Sequence, residues 1–397
     1  MSPHPAAVPV LVFGGGLGLT TLGVIRTLGR AGVTAYIVAD TAGLARHSRW
    51  FRPLPVPHAA DIAERDLTGF LEALPFERAV LMPCSDIWAM HVARLPAASG
   101  RRFASYQSHS TVLETLLDKG AFASALDATG VPHPRTREVA GLDDLAALPD
   151  GAFTNSFFKP RDSQRFFRRF NVKGFRVIGR ADAVRRMGEI AAAGLAVVLQ
   201  EYIPGPASNH VFVDGFVDRA GHMQGVFARQ RLRMFPADFG NSSYMVSISC
   251  DEVEPAVACV RQLLAHLGFR GIFSAEFKYD ERDGRFKILE VNARPWWFVE
   301  FTARCGVDVC TMAYHDALGL PVRPVSAYRV GRACVYPYYD YGAVRELWRR
   351  GELSPWSWAR SWLAAEQPVL RFSDPLPWAL ETARGVRRRL RKMLTAV

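Results

Sequence analysis

The stretch "IFSAEFKYDERDGRFKILEVNARPWW", residues 272–297, constrains the fold more than any other segment of the chain. Two runs of alternating apolar residues flank Asp283-Gly284, a hairpin signal, and a three-residue loop at 282–284 puts Gly284 in the left-handed conformation. Opposed positions in an antiparallel pair centred on residue 283 sum to 566, so Glu276 faces Glu290, with Asn292 two residues further along the same face. Facing carboxylates with Cβ atoms roughly 5 Å apart repel, so something positive belongs between them. Two acids and an amide oxygen are hard oxygen ligands of the kind that hold Mg²⁺ shared with substrate phosphates, which makes Glu276, Glu290 and Asn292 candidate metal ligands. Arg294 continues that face, and its guanidinium suits a phosphoryl oxygen. The competing reading is a solvated strand face whose acids pair with Lys278, Arg285 or Lys287. Parity counts against it, because Arg285 and Lys287 alternate away from Glu290.

Three upstream segments accompany the hairpin: "LLDKGAFASALDATGVPHP" (116–134), "FFKP" (157–160) and "LQEYIPG" (199–205). Together with the hairpin they resemble the ATP-grasp superfamily, in its carboxylate-amine ligase-like form with a carbamoyl-phosphate-synthetase-like ATP-binding fold. The family's hairpin carries one Glu on its first strand and an E-x-N-x-R run on its second, and these hold the magnesium ions of bound ATP. The resemblance implies that Lys119 and Lys159 contact phosphates and adenine. It also implies that the backbone at Gln200, Glu201, Tyr202 and Ile203 binds the adenine edge and that His210 lines the ribose pocket. ATP and Mg²⁺ are the implied cofactors, with Mn²⁺ as an alternative metal. Read from chemistry alone, Lys159 ends an apolar strand and needs an anionic partner if half buried, Lys119 reads equally as a solvated helix lysine, and His210 as an ordinary strand histidine.

One departure from the family concerns the loop after Lys159. "PRDSQRFFRRFNVKGF" (160–175) stands where a glycine-rich phosphate cover is expected, and arginines can replace backbone N–H donors there. It reads equally as a solvated surface loop or as the receiver of an anionic co-substrate. Arg229, Arg231 and Arg233 alternate along "FARQRLRMF" and so share a face that calls for an anion; the alternative is a basic edge strand. The resemblance assigns such a strand to the triphosphate and the substrate carboxylate, and Arg231 joins Arg294 as a candidate catalytic residue.

The fold class expected is α/β plus α+β. A doubly wound α/β domain (1–105) precedes a two-lobed ATP-grasp domain (106–318) and a helical, Trp- and Arg-rich C-terminal extension (319–397). Residues 8 to 105 alternate short apolar strands with helix-like stretches, the βαβ pattern of a parallel sheet. The turn "LVFGGGLG" opens that domain, and Asp40 lies where a ribose-binding acid would sit. Its spacing misses the dinucleotide fingerprint, since Leu19 or Thr21 falls where the third glycine belongs, so a tight βα turn is the better reading. A helix is expected over 110–130, and an amphipathic one over 376–394 with Leu380, Ala383, Leu390 and Leu394 near one face.

The net charge of +11 concentrates in two clusters, 159–180 and 383–393. Nucleic acid is not expected, because interleaved stacking aromatics are few. For the basic C-terminal helix, docking on the body is weighed against peripheral membrane contact. Six cysteines without a C-x-x-C pair indicate reduced thiols rather than a metal or disulfide framework. No apolar run approaches the roughly 18 residues of a membrane span and "MSPHPAAVPV" lacks a signal peptide's basic region, so a cytoplasmic protein is expected. What the resemblance implies is an ATP-dependent ligase acting on a small-molecule carboxylate and amine through an acyl phosphate, releasing ADP and phosphate. A bicarbonate-using carboxylase or carbamoyl-phosphate-type enzyme and a non-catalytic nucleotide-binding protein are the alternatives, and oligomeric state is left open.

Overall fold

The computed structural model describes residues 8–15, 18–39, 43–54, 56, 59–236 and 240–394. Gly16 and Asp40 of the glycine-turn reading lie outside the described residues. The first apolar runs form four parallel strands, β1 (Val10–Phe13), β2 (Ala35–Ala39), β3 (Ala79–Pro83) and β4 (Phe103–Ala104), in spatial order β2-β1-β3-β4. Helices α1 (Leu19–Arg30), α2 (Ala59–Arg65), α3 (Leu67–Ala73) and α4 (Asp86–Ala93) alternate with them, since parallel neighbours need crossovers. The glycine turn serves as a helix start: Gly18 caps α1 at φ +75°, which a side chain would resist.

The helix expected over 110–130 is two helices, α5 (Ser110–Leu117) and α6 (Lys119–Thr129). Asp118 separates them, because it turns extended and its carboxylate caps the N–H groups of Gly120 and Ala121. Lys119 thereby becomes the first residue of α6. An antiparallel sheet of order β5-β8-β6-β7 follows. Its elements are β5 (Thr136–Val139), α7 (Leu142–Ala146), β6 (Ser156–Pro160), α8 (Ser163–Phe170), β7 (Phe175–Val177), α9 (Arg180–Ala192) and β8 (Val197–Glu201). The segment read as a loop after Lys159 therefore contains a helix. Buried Phe166 anchors α8, its ring 4.8 Å from Phe170 and 5.3 Å from Phe175.

A second, seven-stranded sheet has the order β13-β12-β9-β10-β11-β14-β15. It contains β9 (His210–Val217), β10 (Met223–Phe235), β11 (Asn241–Ile248), β12 (Gly271–Asp280), β13 (Arg285–Asn292), β14 (Ala333–Val335) and β15 (Ala365–Glu366). Helix α10 (Glu254–His266) packs on Val211, Val213, Phe273, Ala275 and Phe277. The alternate residues Phe212, Phe216 and Ile272 face α11 (Val299–Cys305) and α12 (Val309–Leu318). Those two helices also receive α1, whose residues from Leu19 to Leu28 are all buried. A Cβ on Gly23 of α1 would stand 3.0 Å from Val299 Cγ1, so glycine sets that close approach. Burying Leu22, Val24, Ile25 and Leu28 stabilises this junction by about 1.5–3 kcal/mol each.

The hairpin between β12 and β13 corrects the expected register in an instructive way. Near the turn the pairs are Asp280 with Arg285 and Lys278 with Lys287, so the loop has four residues, 281–284. A bulge at Leu289 inserts one extra residue, and beyond it Glu276 does face Glu290 while Ser274 faces Asn292. Gly284 is left-handed, at φ +69°. The bulge reverses the parity of β13, so Lys287 shares the face of Glu276; there it pairs with buried Asp280 at 2.6 Å. Parity did not exclude Lys287 from the acids' face; its pairing with Asp280 occupies it. Strand β10 lies inside the sheet, so the edge-strand reading of its arginines fails.

Residues 319–394 are built into the same body, through β14, β15 and the helices α13 (Pro337–Arg349), α14 (Pro355–Ala364) and α15 (Leu376–Leu394). The expected tail helix is α15; the placement of Arg388, Leu390, Arg391 and Leu394 on its faces lies outside the described residues. All six cysteines are free thiols, four of them buried. Among the described residues no helix is long and apolar enough to cross a membrane.

Candidate active site

A cavity of about 1260 Å³ opens between the β5-β8-β6-β7 sheet, the seven-stranded sheet and the start of α4 and α6. Lys119, Lys159, Gln200, Glu201, Tyr202, Ile203, His210, Arg231, Glu276, Glu290, Asn292 and Arg294 line it, whereas Arg229 and Arg233, which the sequence grouped with Arg231, do not. The described residues of the N-terminal glycine turn do not.

Glu276 is the most heavily engaged group. Its Oε1 lies 2.9 Å from His210 Nδ1 and forms an ion pair with Arg231 Nη1 at 3.0 Å, and Arg231 Nη1 also lies 3.1 Å from His210 Nδ1. Burial alone would raise this carboxyl, but Arg231 and His210 outweigh it and hold it far below the usual carboxylate range. His210 is itself pushed down to about 4, chiefly by burial, so it is neutral at pH 7. An ordinary strand histidine and a cavity residue are thus the same side chain.

Glu290 stands across from that cluster, and its Oε1 accepts from Asn292 Nδ2 at 3.3 Å. Asn292 Oδ1 in turn accepts from Arg294 Nη2 at 3.1 Å. Arg294 is oriented by a residue that the sequence reading missed: Asp86, at the start of α4, takes Nε at 2.7 Å and Nη2 at 3.1 Å. Asp86 follows Ser85, the cap of α4, just beyond the carboxyl end of β3. Open parallel sheets carry their ligand-binding groups at that edge, and this was the available signal.

Among the described residues, no group of three or more His, Cys, Asp or Glu can hold a metal by itself. The donors present are two carboxylates and an amide. Such a set fits Mg²⁺, which takes its remaining ligands from phosphate and water.

Lys159 Nζ donates to Leu289 O at 3.1 Å, the carbonyl of the bulge residue. Burial, with Lys119 nearby, lowers this lysine to about 8, and Glu290 and Glu276 only partly offset that. A partly dehydrated ammonium beside another cation is a site for an anion. From the cover segment, Arg165 and Arg168 line the cavity, and Lys173 reaches across to the large sheet, where its Nζ donates to Asn241 Oδ1 at 2.8 Å.

The stretch 200–203 is held from outside the cavity. Gln200 Nε2 donates to Thr136 Oγ1 at 2.8 Å, and Glu201 accepts from Arg282 at 2.7 Å and Arg135 at 3.3 Å. The backbone N–H groups of Glu201 and Tyr202 are already given to Arg135 O and Asn155 O, so they are not donors to a ligand. The Tyr202 ring lies under Arg176 at 3.7 Å and Lys278 at 5.0 Å.

The three arginines of β10 do not share one anion. Each has its own carboxylate: Arg229 binds Asp214, Arg231 binds Glu276, and Arg233 binds Asp340. A register shift between Arg231 and Arg233 contributes to this separation, and Arg231 alone lines the cavity.

No protein-family model matches the chain. It is 23% identical over 245 residues to a D-aspartate ligase of Enterococcus faecium (strain Aus0004), covering 60% of this chain and 58% of that one. It is 27% identical over 212 residues to a D-alanine–D-alanine ligase of Acidiphilium cryptum (strain JF-5), covering 48% and 63%. The chain thus spans about three fifths of the length of the curated relatives it matches. Among solved structures, the ADP complex of PurK, an N5-carboxyaminoimidazole ribonucleotide synthetase, superposes with a TM-score of 0.62 at 14% identity, covering 87% of this chain and 86% of that one.

Proposed function

We propose that this chain, which carries the ATP-grasp fold, is an ATP-dependent ligase joining a carboxylate to an amine through an acyl phosphate, with release of ADP and phosphate. One observation carries the reading: Glu276, Glu290 and Asn292 converge in one cavity with Lys159, Lys119 and a carboxylate-anchored Arg294. No pair of a protein nucleophile and its base is needed, because the substrate carboxylate itself attacks the γ-phosphorus.

In this reading Lys159 and Lys119 receive phosphate oxygens, and the cavity wall at Gln200, Glu201, Tyr202 and Ile203 receives the base. His210, neutral and hydrogen-bonded to Glu276, adds no charge at the ribose. Mg²⁺, or Mn²⁺ on the same oxygen donors, would neutralise phosphoryl charge when held by Glu276, Glu290 and Asn292. Arg294, locked by Asp86, presents a fixed guanidinium where negative charge develops, so little reorganisation is needed at the moment of transfer. Arg231 serves by holding Glu276 ionised. The acceptor class is an amino acid, an inference from the relatives' names. The division into residues 1–105, 106–318 and 319–397 and a cytoplasmic location belong to the same reading.

The test is ADP release across a panel of single and paired amino acids with ATP and Mg²⁺. Release that requires a carboxylate and an amine together is expected. Release that follows bicarbonate and no amino acid would overturn the assignment in favour of carboxylation.

A further inference from the structure

Helix α14 has two unlike faces. Inward, the Trp358 ring meets Trp348 at 5.5 Å and Trp362 at 5.1 Å, both edge to face, and Trp362 Nε1 donates to buried Asp340 at 2.6 Å. Those contacts already account for the helix's packing on the body. Outward, Trp356 is 79% exposed and Leu363 is 90% exposed, with exposed Arg360 between them. Spacings of four and three residues put all three on one stripe.

Charge indicates what covers this stripe. Residues 319–397 hold fourteen Lys and Arg against six Asp and Glu, which is eight of the chain's eleven net positive charges. Three of those acids are spent internally: Asp340 on Arg233, Glu366 on Arg304 and Arg332, and Asp374 on Arg26. Arg349, Arg350 and Arg360 are exposed and have no carboxylate partner among the described residues.

We propose that the Trp356–Arg360–Leu363 face of α14 docks on an anionic lipid bilayer. Tryptophan and leucine side chains enter the headgroup boundary while arginines beside them meet lipid phosphate. Contact is peripheral, through side chains of a short helix lying on the surface. The basic α15 adds attraction without being the apolar anchor.

The full chain is sedimented with vesicles of phosphatidylcholine alone and with vesicles containing phosphatidylglycerol. We expect enrichment of about tenfold or more on the anionic vesicles, weakening as salt rises. The double variant Trp356→Ser, Leu363→Ser abolishes it with an unchanged melting temperature, because both side chains are mostly exposed. No cosedimentation, equal cosedimentation with both lipids, or binding that survives the double substitution each overturns the proposal. An acidic protein partner would give the first of these. Ligase activity plays no part in the readout, so failure here leaves the proposed reaction untouched.

Discussion

Glu276 and Glu290 face each other, yet Arg231 and His210 engage only Glu276. The two acids should therefore respond differently to the same change. Glu276→Gln leaves Arg231 as a buried, uncompensated charge and should cost about 3–5 kcal/mol of stability, seen as a lower melting temperature. Glu290→Gln removes repulsion and should leave the melting temperature level or higher, while amine-dependent ADP release falls by orders of magnitude. A melting temperature that drops with ADP release intact would make Glu290 a structural group instead. Lys159, lowered to about 8, makes a separate prediction. An arriving phosphate raises its pKa, so nucleotide binding near pH 8.5 should take up a proton, and calorimetry in buffers of different ionisation enthalpy measures it. His210, at about 4 in the folded chain against 6.5 in the unfolded one, works in the acid range. Between those values the unfolded state binds the extra proton, so its contribution is complete above pH 6.5 and is lost as pH falls toward 4. His210→Asn should flatten the fall of melting temperature with pH in that window.

At the scale of elements, the bulge at Leu289 and the helix α8 do most to shape the cavity. The bulge turns a carbonyl out of the ladder, and Lys159 takes it at 3.1 Å. Helix α8 puts arginine side chains where a glycine-rich loop would offer N–H groups. If Arg165 and Arg168 grip phosphate, Arg165→Ala with Arg168→Ala should weaken nucleotide binding about tenfold to a hundredfold and reduce its dependence on salt. The variant should still fold, because Phe166, Phe170 and Phe175 anchor the segment. Unaltered affinity in a titration would return α8 to the status of a solvated helix.

Across the whole molecule, the site is closed by residues that are remote in sequence. Asp86, which starts α4 of the N-terminal α/β region, orients Arg294, 208 positions away. Arg26 of α1, 1% exposed, binds Asp374 at 2.8 Å and the carbonyls of Pro368 and Val369, tying the first helix to the last segment. Asp86→Asn should keep ATP affinity while lowering turnover about a hundredfold, since a misplaced guanidinium costs rate more than binding. Calorimetry should also show ATP with Mg²⁺ binding and NAD not; NAD binding without ATP binding would revive the glycine turn.

By itself the sequence determined the parallel first sheet and the hairpin that carries Glu276, Glu290 and Asn292; that the lysines join those acids in one site was implied by the family resemblance. Alternation and turn residues report local geometry directly, and "LEVNARP" preserves its spacing whatever surrounds it. The facing pair nonetheless came out right because two errors cancelled: a four-residue loop shifted the register by one, and the bulge at Leu289 shifted it back. Only the tertiary structure decided which cations meet which acids. Arg229, Arg231 and Arg233 alternate evenly in sequence, but three different strands and helices supply their carboxylates. The same holds for Asp86 and Arg294, whose pairing depends on where the first sheet packs against the second. A charge's partner is set by distance across the fold, and no local pattern encodes that distance.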